Sequence, residues 1–82
     1  MNVPIDDGSG IKKAFRAAYD FMEKHNKLCV DGEDYMAVLK DARKECDRYT
    51  SDQVLVKNLL FAVAVSIIDI SDTVAVIEGR KR

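Results

Sequence analysis

The residues of this chain that could do chemistry are few and widely spaced. Its single histidine, His25, stands four residues before Cys29, and a second cysteine, Cys46, lies in a later apolar pattern. Protein zinc sites use about four such ligands at recurring spacings, and these three match no such signature. A partly buried imidazole and two buried thiols explain the same residues. We therefore predict no metal site and no cofactor, and a metal or redox module remains only an alternative.

Catalytic motifs are also missing from the sequence. It contains no glycine-rich phosphate loop, no paired histidine–carboxylate motif and no nucleophile elbow. His25 has no obvious partner for acid–base chemistry. Asp69 and Asp72 would share one helical face, but two carboxylates supply at best half of a cation site. The simpler interpretation is that they keep one strip of a helix hydrated, and we predict that the protein is not an enzyme.

A basic strip is the best candidate for binding nucleic acid. It consists of Lys40, Arg43, Lys44 and Arg48. The cations at 80–82 could extend it, whereas Asp47 interrupts it and Asp41 and Glu45 flank it. No aromatic side chain interleaves it to stack on bases. A nucleic-acid-binding regulator is therefore the alternative function and a solvated helix face the simpler interpretation.

Length and composition indicate one globular domain. The chain has 82 residues, of which 48% are hydrophobic and 33% charged, with a net charge of −1. We divide it into a tail at 1–10, a helical domain at 11–79 and a basic tail at 80–82. The first residues are neither basic nor strongly apolar, so no signal peptide is expected and the predicted location is the cytoplasm. Free thiols are expected there, although a disulfide between Cys29 and Cys46 stays open.

Apolar residues at helical spacing predict an all-α, three-helix bundle. The first two helices are expected at about 11–26 and 32–49. The stripe predicted to be buried on the first comprises Ile11, Ala14, Phe15, Ala18, Tyr19 and Met22. The corresponding stripe on the second comprises Tyr35, Val38, Leu39, Ala42, Cys46 and Tyr49. The expected caps are Ser9 and Asp31 at the N-termini and Asn26 at the end of the first helix.

The third helix is expected from Thr50 or Ser51 to about residue 78, with a Thr50–Gln53 capping box and Gly79 as its terminating residue. Its β-branched residues at 73–77 would also suit a strand, but no other segment supplies a pairing strand. The predicted core stripe is Val56, Leu59, Leu60, Val63, Ile67, Ile70, Val74 and Ile77. A second apolar set lies on another flank: Phe61, Ala64, Val65, Ile68 and Ala75.

This second set predicts an interface, because two short helices cannot cover a helix that is apolar nearly all round. We expect a homodimer formed through the third helix, since homodimers are the commonest oligomers. The alternative is that the tail, with Val3 and Ile5, covers the flank. A membrane span is not expected, because it needs about 20 apolar residues and would bury Asp69 and Asp72.

Several short segments resemble small helical proteins of bacteriophages and other mobile elements of Gram-positive bacteria. They are Ala18-Tyr19-Asp20-Phe21-Met22, Asp34-Tyr35-Met36 with Val38-Leu39, Asp41-Ala42 through Cys46 to Tyr49, and Asn58-Leu59-Leu60-Phe61-Ala62-Val63. The resemblance covers about residues 14–65. Those proteins often carry Trp where this chain has Met36, and many end in a charged helix. The resemblance implies a setting and no site. We accordingly expect a non-catalytic accessory protein of a phage or mobile element that binds itself and another protein.

Overall fold

The computed structural model describes Gly8 and residues 10–79, which form three α-helices. They are α1 (Ile11–Lys24), α2 (Gly32–Cys46) and α3 (Val54–Ile77). No strand occurs within these residues, so the all-α prediction is confirmed and residues 73–77 are helical. The expected roles of Ser9, Val3, Ile5 and the cations at 80–82 fall outside the described residues.

Helix α3 is the element on which the other two pack. Both α1 and α2 contact α3 extensively, whereas they touch each other little. The buried face of α3 comprises Val56, Leu60, Ala64, Ile67, Ser71 and Ala75. One small residue from each helix, Ala14, Ala42 and Ala64, belongs to the same buried cluster. Because alanine side chains are short, the three backbones can approach closely at this point.

The predicted faces of α3 are partly wrong. Ala64 and Ala75, assigned to the second flank, are buried in the core with 0% and 5% exposure. Conversely, Ile70 and Ile77, assigned to the core stripe, are exposed. The two errors have one cause: α1 and α2 cover the side of α3 that carries the small residues Ala64, Ser71 and Ala75.

Helix α1 is also rotated relative to the prediction. Ala14 and Ala18 are buried as expected, but Phe15 and Tyr19 are 55% and 57% exposed, and Ile11 is exposed too. Phe21, absent from the predicted stripe, is the aromatic residue in the core, where its ring lies 4.6 Å from that of His25. Aromatic residues flank the two alanines on both sides, so helical periodicity alone could not choose between the two faces.

Helix α2 begins as the sequence predicts. The Asp31 carboxylate accepts a bond from the Asp34 backbone N–H at 3.0 Å, and Asp34 in turn accepts from the Asp31 N–H at 3.4 Å, which completes a capping box. Val38 and Ala42 are buried. Leu39, placed in the predicted core, is 39% exposed, so this assignment is wrong.

The ends of the helices differ from the sequence prediction at three places. α1 stops at Lys24, and Asn26 does not adopt the left-handed conformation expected of it. α2 stops at Cys46, so Tyr49 lies in the following turn. α3 begins at Val54, because Thr50 and Gln53 close a turn before it: the Gln53 side chain accepts from the Thr50 N–H at 2.9 Å. Gly79, with φ of 69°, follows α3 as predicted.

Alanine substitutions test the assignment of Leu60 to the core and of Leu39 to the partly exposed surface. Leu60→Ala should lower the free energy of unfolding by about 2–5 kcal/mol, because it opens a cavity at a side chain with 1% exposure. Leu39→Ala removes the same atoms from a partly exposed site and should cost about 1 kcal/mol or less. Urea denaturation followed by circular dichroism measures both. Equal losses would contradict the assignment.

Candidate interaction surface

The surface of α3 that faces away from α1 and α2 is largely apolar. We call it the outer face and define it by its exposed residues: Val54, Asn58, Phe61, Ala62, Val65, Ser66, Asp69, Ile70, Thr73, Val76 and Ile77. Phe61 is 53% exposed, Val65 44% and Ile70 47%. Scattered apolar residues are normal on protein surfaces, whereas contiguous apolar patches are typical of binding surfaces. On this face Phe61 and Ile70 lie at opposite edges, and Asn58 and Asp69 lie between them.

The outer face contains part of the predicted interface. Phe61 and Val65 lie on it, and Ile68 is half-buried at its edge. Ala64 and Ala75 do not lie on it, because they belong to the core. Val76 was not predicted to lie on this face, and Ile70 and Ile77 were predicted to lie in the core.

Two hydroxyl groups on the outer face are turned back onto the helix. Ser66 Oγ donates to the Ala62 carbonyl at 2.7 Å, and Thr73 Oγ1 donates to the Asp69 carbonyl at 2.9 Å. Because the hydroxyl protons are used within α3, these side chains need no donor–acceptor partner from another molecule. Asn58 and Asp69 are the strongly polar groups on this face.

A groove between α1 and α3 extends the apolar surface on one side. Its volume is about 760 Å³, and it is open to solvent. Its apolar lining is Phe15, Ala18, Tyr19, Met22, Leu59 and Val63, and Lys12, Lys13 and Arg16 complete it. Helical periodicity did not predict this groove, because it placed Phe15 and Tyr19 in the core. On the side of α2, a second depression of about 540 Å³ joins Tyr35, Ile68 and Asp72, and there the Tyr35 hydroxyl donates to Asp72 at 2.7 Å.

Helix α3 also has the length and composition of a membrane span. Its 24 residues have a mean hydropathy of 2.1 over the most apolar window, of which 28% is buried within the protein. The core helix of a bundle can reach the same hydropathy, but most of such a helix is buried, whereas most of this window is not. Here α1 and α2 pack on α3 and carry exposed charges such as Lys13, Arg16 and Lys44. Insertion of α3 into a bilayer would therefore either place those charges in the lipid or separate α1 and α2 from α3.

His25 has a partner that the sequence analysis did not find. Its Nε2 lies 2.5 Å from Asp41 Oδ2 on α2, and Lys24 Nζ lies 2.9 Å from the same oxygen. Burial of Asp41 raises its pKa, but the hydrogen bonds from His25 and Lys24 and the positive charge of Lys24 outweigh burial, so the pKa is lowered overall. These contacts of Asp41 with Lys24 and His25 join the end of α1 to the middle of α2, so we assign them a structural role.

The two cysteines are free thiols with packing roles. Cys29 is buried, and its backbone N–H donates to Ser71 Oγ at 2.8 Å. Cys46 is half-buried, and its Sγ donates to the Lys57 carbonyl at 3.8 Å. Burial raises the pKa of the Cys46 thiol, which keeps it protonated and weakly nucleophilic. Within the described residues no three His, Cys, Asp or Glu side chains form a group that could hold a metal ion.

Three residues of the basic strip lie on α2, and Arg48 lies in the turn after it. Lys40, Arg43, Lys44 and Arg48 are all exposed. Arg48 Nη1 lies 3.3 Å from Glu45 Oε2, so part of its charge is already compensated.

Comparison with known protein families, with curated protein sequences and with solved structures finds no match to this chain.

The Asp41 cluster should give the fold a dependence on acid pH. A carboxyl whose pKa is lowered by folding stabilises the native state above its unfolded pKa, and this contribution is lost as the pH falls through the lowered native value. Asp41→Asn should therefore be less stable than the wild type at neutral pH and should lose less stability on acidification. Asp20→Asn is the control, because Asp20 pairs with Arg16 at 3.2 Å on an open surface. Urea midpoints between pH 7 and pH 3 measure the difference, and parallel curves for Asp41→Asn and the wild type would contradict it.

A comparison of Ser66 with Ser71 measures how much the Ser71–Cys29 hydrogen bond contributes to the free energy of unfolding. Both Ser66 and Ser71 donate to the carbonyl four residues earlier, but only Ser71 is buried and also accepts from the Cys29 N–H. Ser71→Ala should therefore cost about 1–3 kcal/mol, because it leaves a buried donor unsatisfied. Ser66→Ala should stay within about 0.5 kcal/mol of the wild type. Thermal or urea unfolding compares them, and equal effects would mean that the Cys29 N–H finds another partner.

Proposed function

We propose that this chain is a small, non-catalytic interaction protein that acts by binding another protein through the outer face of α3. The single observation that carries the proposal is the exposure of Phe61, Val65 and Ile70 on the half of α3 that α1 and α2 leave open. The resemblance of residues 14–65 to phage and mobile-element proteins supports the role of an accessory factor in a bacterial cytoplasm. Self-association through α3 is part of the same proposal.

The energetic argument is the cost of leaving these side chains in water. Full burial of a large apolar side chain contributes about 1.5–3 kcal/mol, and the three residues are each about half exposed. A partner that covered them would recover about half of that value for each. Such gains, concentrated in a few large side chains, are typical of protein–protein interfaces.

The shape and charge of the face favour a protein over other ligands. The face is one side of a helix about 36 Å long, since α3 has 24 residues at about 1.5 Å each. A small molecule would find little enclosure on it. Its exposed ionisable group is Asp69, which repels nucleic acid and is costly in a bilayer.

A nucleic-acid-binding regulator is the second candidate, and one observation favours it: all four cations of the basic strip are exposed, three of them on α2 and Arg48 in the turn that follows. Against it stand the Arg48–Glu45 ion pair and the net charge of −1. Binding through phosphate contacts would fall steeply with salt. A titration with duplex DNA at two salt concentrations, using Lys40→Glu with Lys44→Glu as the comparison, tests this candidate directly.

The proposed function is tested by capture of proteins from the native host with tagged wild type and two variants. Val65→Glu places a charge in the outer face, and Asn26→Glu places the same charge at an exposed site in the α1–α2 loop. We expect a protein that the wild type and Asn26→Glu retain and that Val65→Glu loses, because a charge at an interface core is costly. Equal capture by all three would contradict the proposal, as would salt-sensitive DNA binding without any captured protein.

A further inference from the structure

We infer that the groove between α1 and α3 binds an acidic amphipathic helix of another protein, with carboxylates of that helix beside Lys12 and Lys13. The inference goes beyond the proposed function, because none of the residues that line the groove belongs to the outer face of α3. Two features carry it together: the groove has an apolar floor, and its charged lining residues are three cations without a carboxylate among them.

The dimensions of the groove fit a short helix. Its lining residues run along α1 from Lys12 to Met22, ten steps of about 1.5 Å each, so the groove is about 15 Å long. That length corresponds to about three turns of a second helix. Amphipathic helices bind in grooves of this kind through apolar side chains three or four residues apart. On the groove side, Phe15 and Tyr19 are four residues apart, and each ring is about half exposed.

The two lysines lie where their own helix disfavours them. Lys12 and Lys13 stand in the first turn of α1, which contains no acidic residue. The N-terminal end of a helix carries partial positive charge, so that cations are unfavourable there and anions are favourable. Neither lysine forms an ion pair with any of the residues that the structure describes. A local cost without internal compensation is expected at functional sites, and carboxylates of a bound partner would offset it.

The other charged groups near the groove determine which end of the partner is acidic. Arg16 Nε lies 3.2 Å from Asp20 Oδ1, and its guanidinium lies 5.7 Å from the centroid of the Tyr19 ring, so its charge is partly compensated. Farther along α1, Glu23 raises the pKa of the Tyr19 hydroxyl through hydrogen bonding and negative charge. The uncompensated positive charge is therefore at the start of α1, and the carboxylates of the partner belong at that end.

The lining favours a protein helix over other anionic ligands. Single-stranded nucleic acid would stack its bases on exposed aromatic rings, but Arg16 already lies over Tyr19. The aliphatic floor of Met22, Leu59 and Val63 offers bases no stacking surface. The lining contains no buried polar side chain that would orient a small molecule. A bilayer presents a broad surface, whereas these apolar residues lie in a concave groove between two helices.

Two fluorescent synthetic helices of three turns test the inference on the full-length protein. Both carry leucine and phenylalanine at spacings of three and four residues; one carries glutamate at the remaining positions and the other carries lysine. We expect fluorescence anisotropy to show salt-sensitive binding of the glutamate peptide and no binding of the lysine peptide. Lys12→Glu with Lys13→Glu should weaken binding of the glutamate peptide about tenfold or more. Phe15→Ala should weaken it about tenfold, because it removes an aromatic anchor.

Two control variants separate the groove from other surfaces. Lys40→Glu with Lys44→Glu makes the same change in net charge on α2, and Val65→Glu alters the outer face. Both should bind the glutamate peptide within about twofold of the wild type, because exposed charges at a distance are screened. The urea midpoint of the Lys12→Glu, Lys13→Glu variant should be unchanged or higher, since acidic residues suit the first turn of a helix. Its loss of binding would then not reflect a loss of folding.

Each contrary result excludes the proposed occupant. Equal binding of the two peptides, or binding of neither, would overturn the inference, as would loss of binding in Val65→Glu alone. Flotation with phosphatidylglycerol vesicles or binding of oligothymidylate, without binding of the glutamate peptide, would assign the cations to lipid or to nucleic acid. A wild-type dimer in sedimentation equilibrium that Lys12→Glu with Lys13→Glu abolished would place a second copy in the groove. The proposed function would survive these failures, since it is tested by capture through the outer face.

Discussion

Burial of one side of α3 is the constraint on which the rest of the molecule depends. Helices of 14 and 15 residues must cover a helix of 24, and they contact it far more than they contact each other. The short side chains of Ala14, Ala42 and Ala64 in the buried cluster leave room for this packing, which also determines which side of α3 stays open. The packing of α1 and α2 therefore determines both which residues of α3 form the core and which apolar residues of α3 stay exposed. A shift of α1 or α2 around α3 would change both at once.

Two polar contacts hold the short elements to that geometry. The Asp41 carboxylate joins α2 to Lys24 and His25 at the end of α1, where apolar contact between the two helices is sparse. Ser71, buried within α3, accepts from the Cys29 N–H and so fastens the α1–α2 loop to the central helix. A satisfied buried polar group adds less to stability than to the choice of one arrangement, because its loss leaves a specific partner unpaired.

The sequence was sufficient to predict the fold class and those helix ends that depend on side chains within one turn. Asp31 forms its capping box with Asp34, and Gly79 takes a positive φ, because both depend on residues within one turn. The sequence was insufficient for the rotation of each helix. Alanine carries so little hydrophobicity that Ala64 and Ala75 could be assigned to either face, and Phe15, Tyr19 and Phe21 offered α1 two equivalent stripes. Tertiary packing chose between them, and it also paired His25 with a residue sixteen positions away.

The inward-turned hydroxyls of Ser66 and Thr73 affect how easily the outer face can exchange water for a protein. Each hydroxyl gives its proton to a carbonyl of α3, yet its oxygen can still accept a hydrogen bond. Water can therefore solvate these positions while they are exposed, and its departure removes no donor that the protein must replace. Desolvation of these two hydroxyl groups therefore leaves no donor unsatisfied, whereas desolvation of Asn58 and Asp69 on the same face would be costly. The interface proposed for this face would therefore suit reversible contact, in contrast to a permanently dry interface of large aliphatic residues.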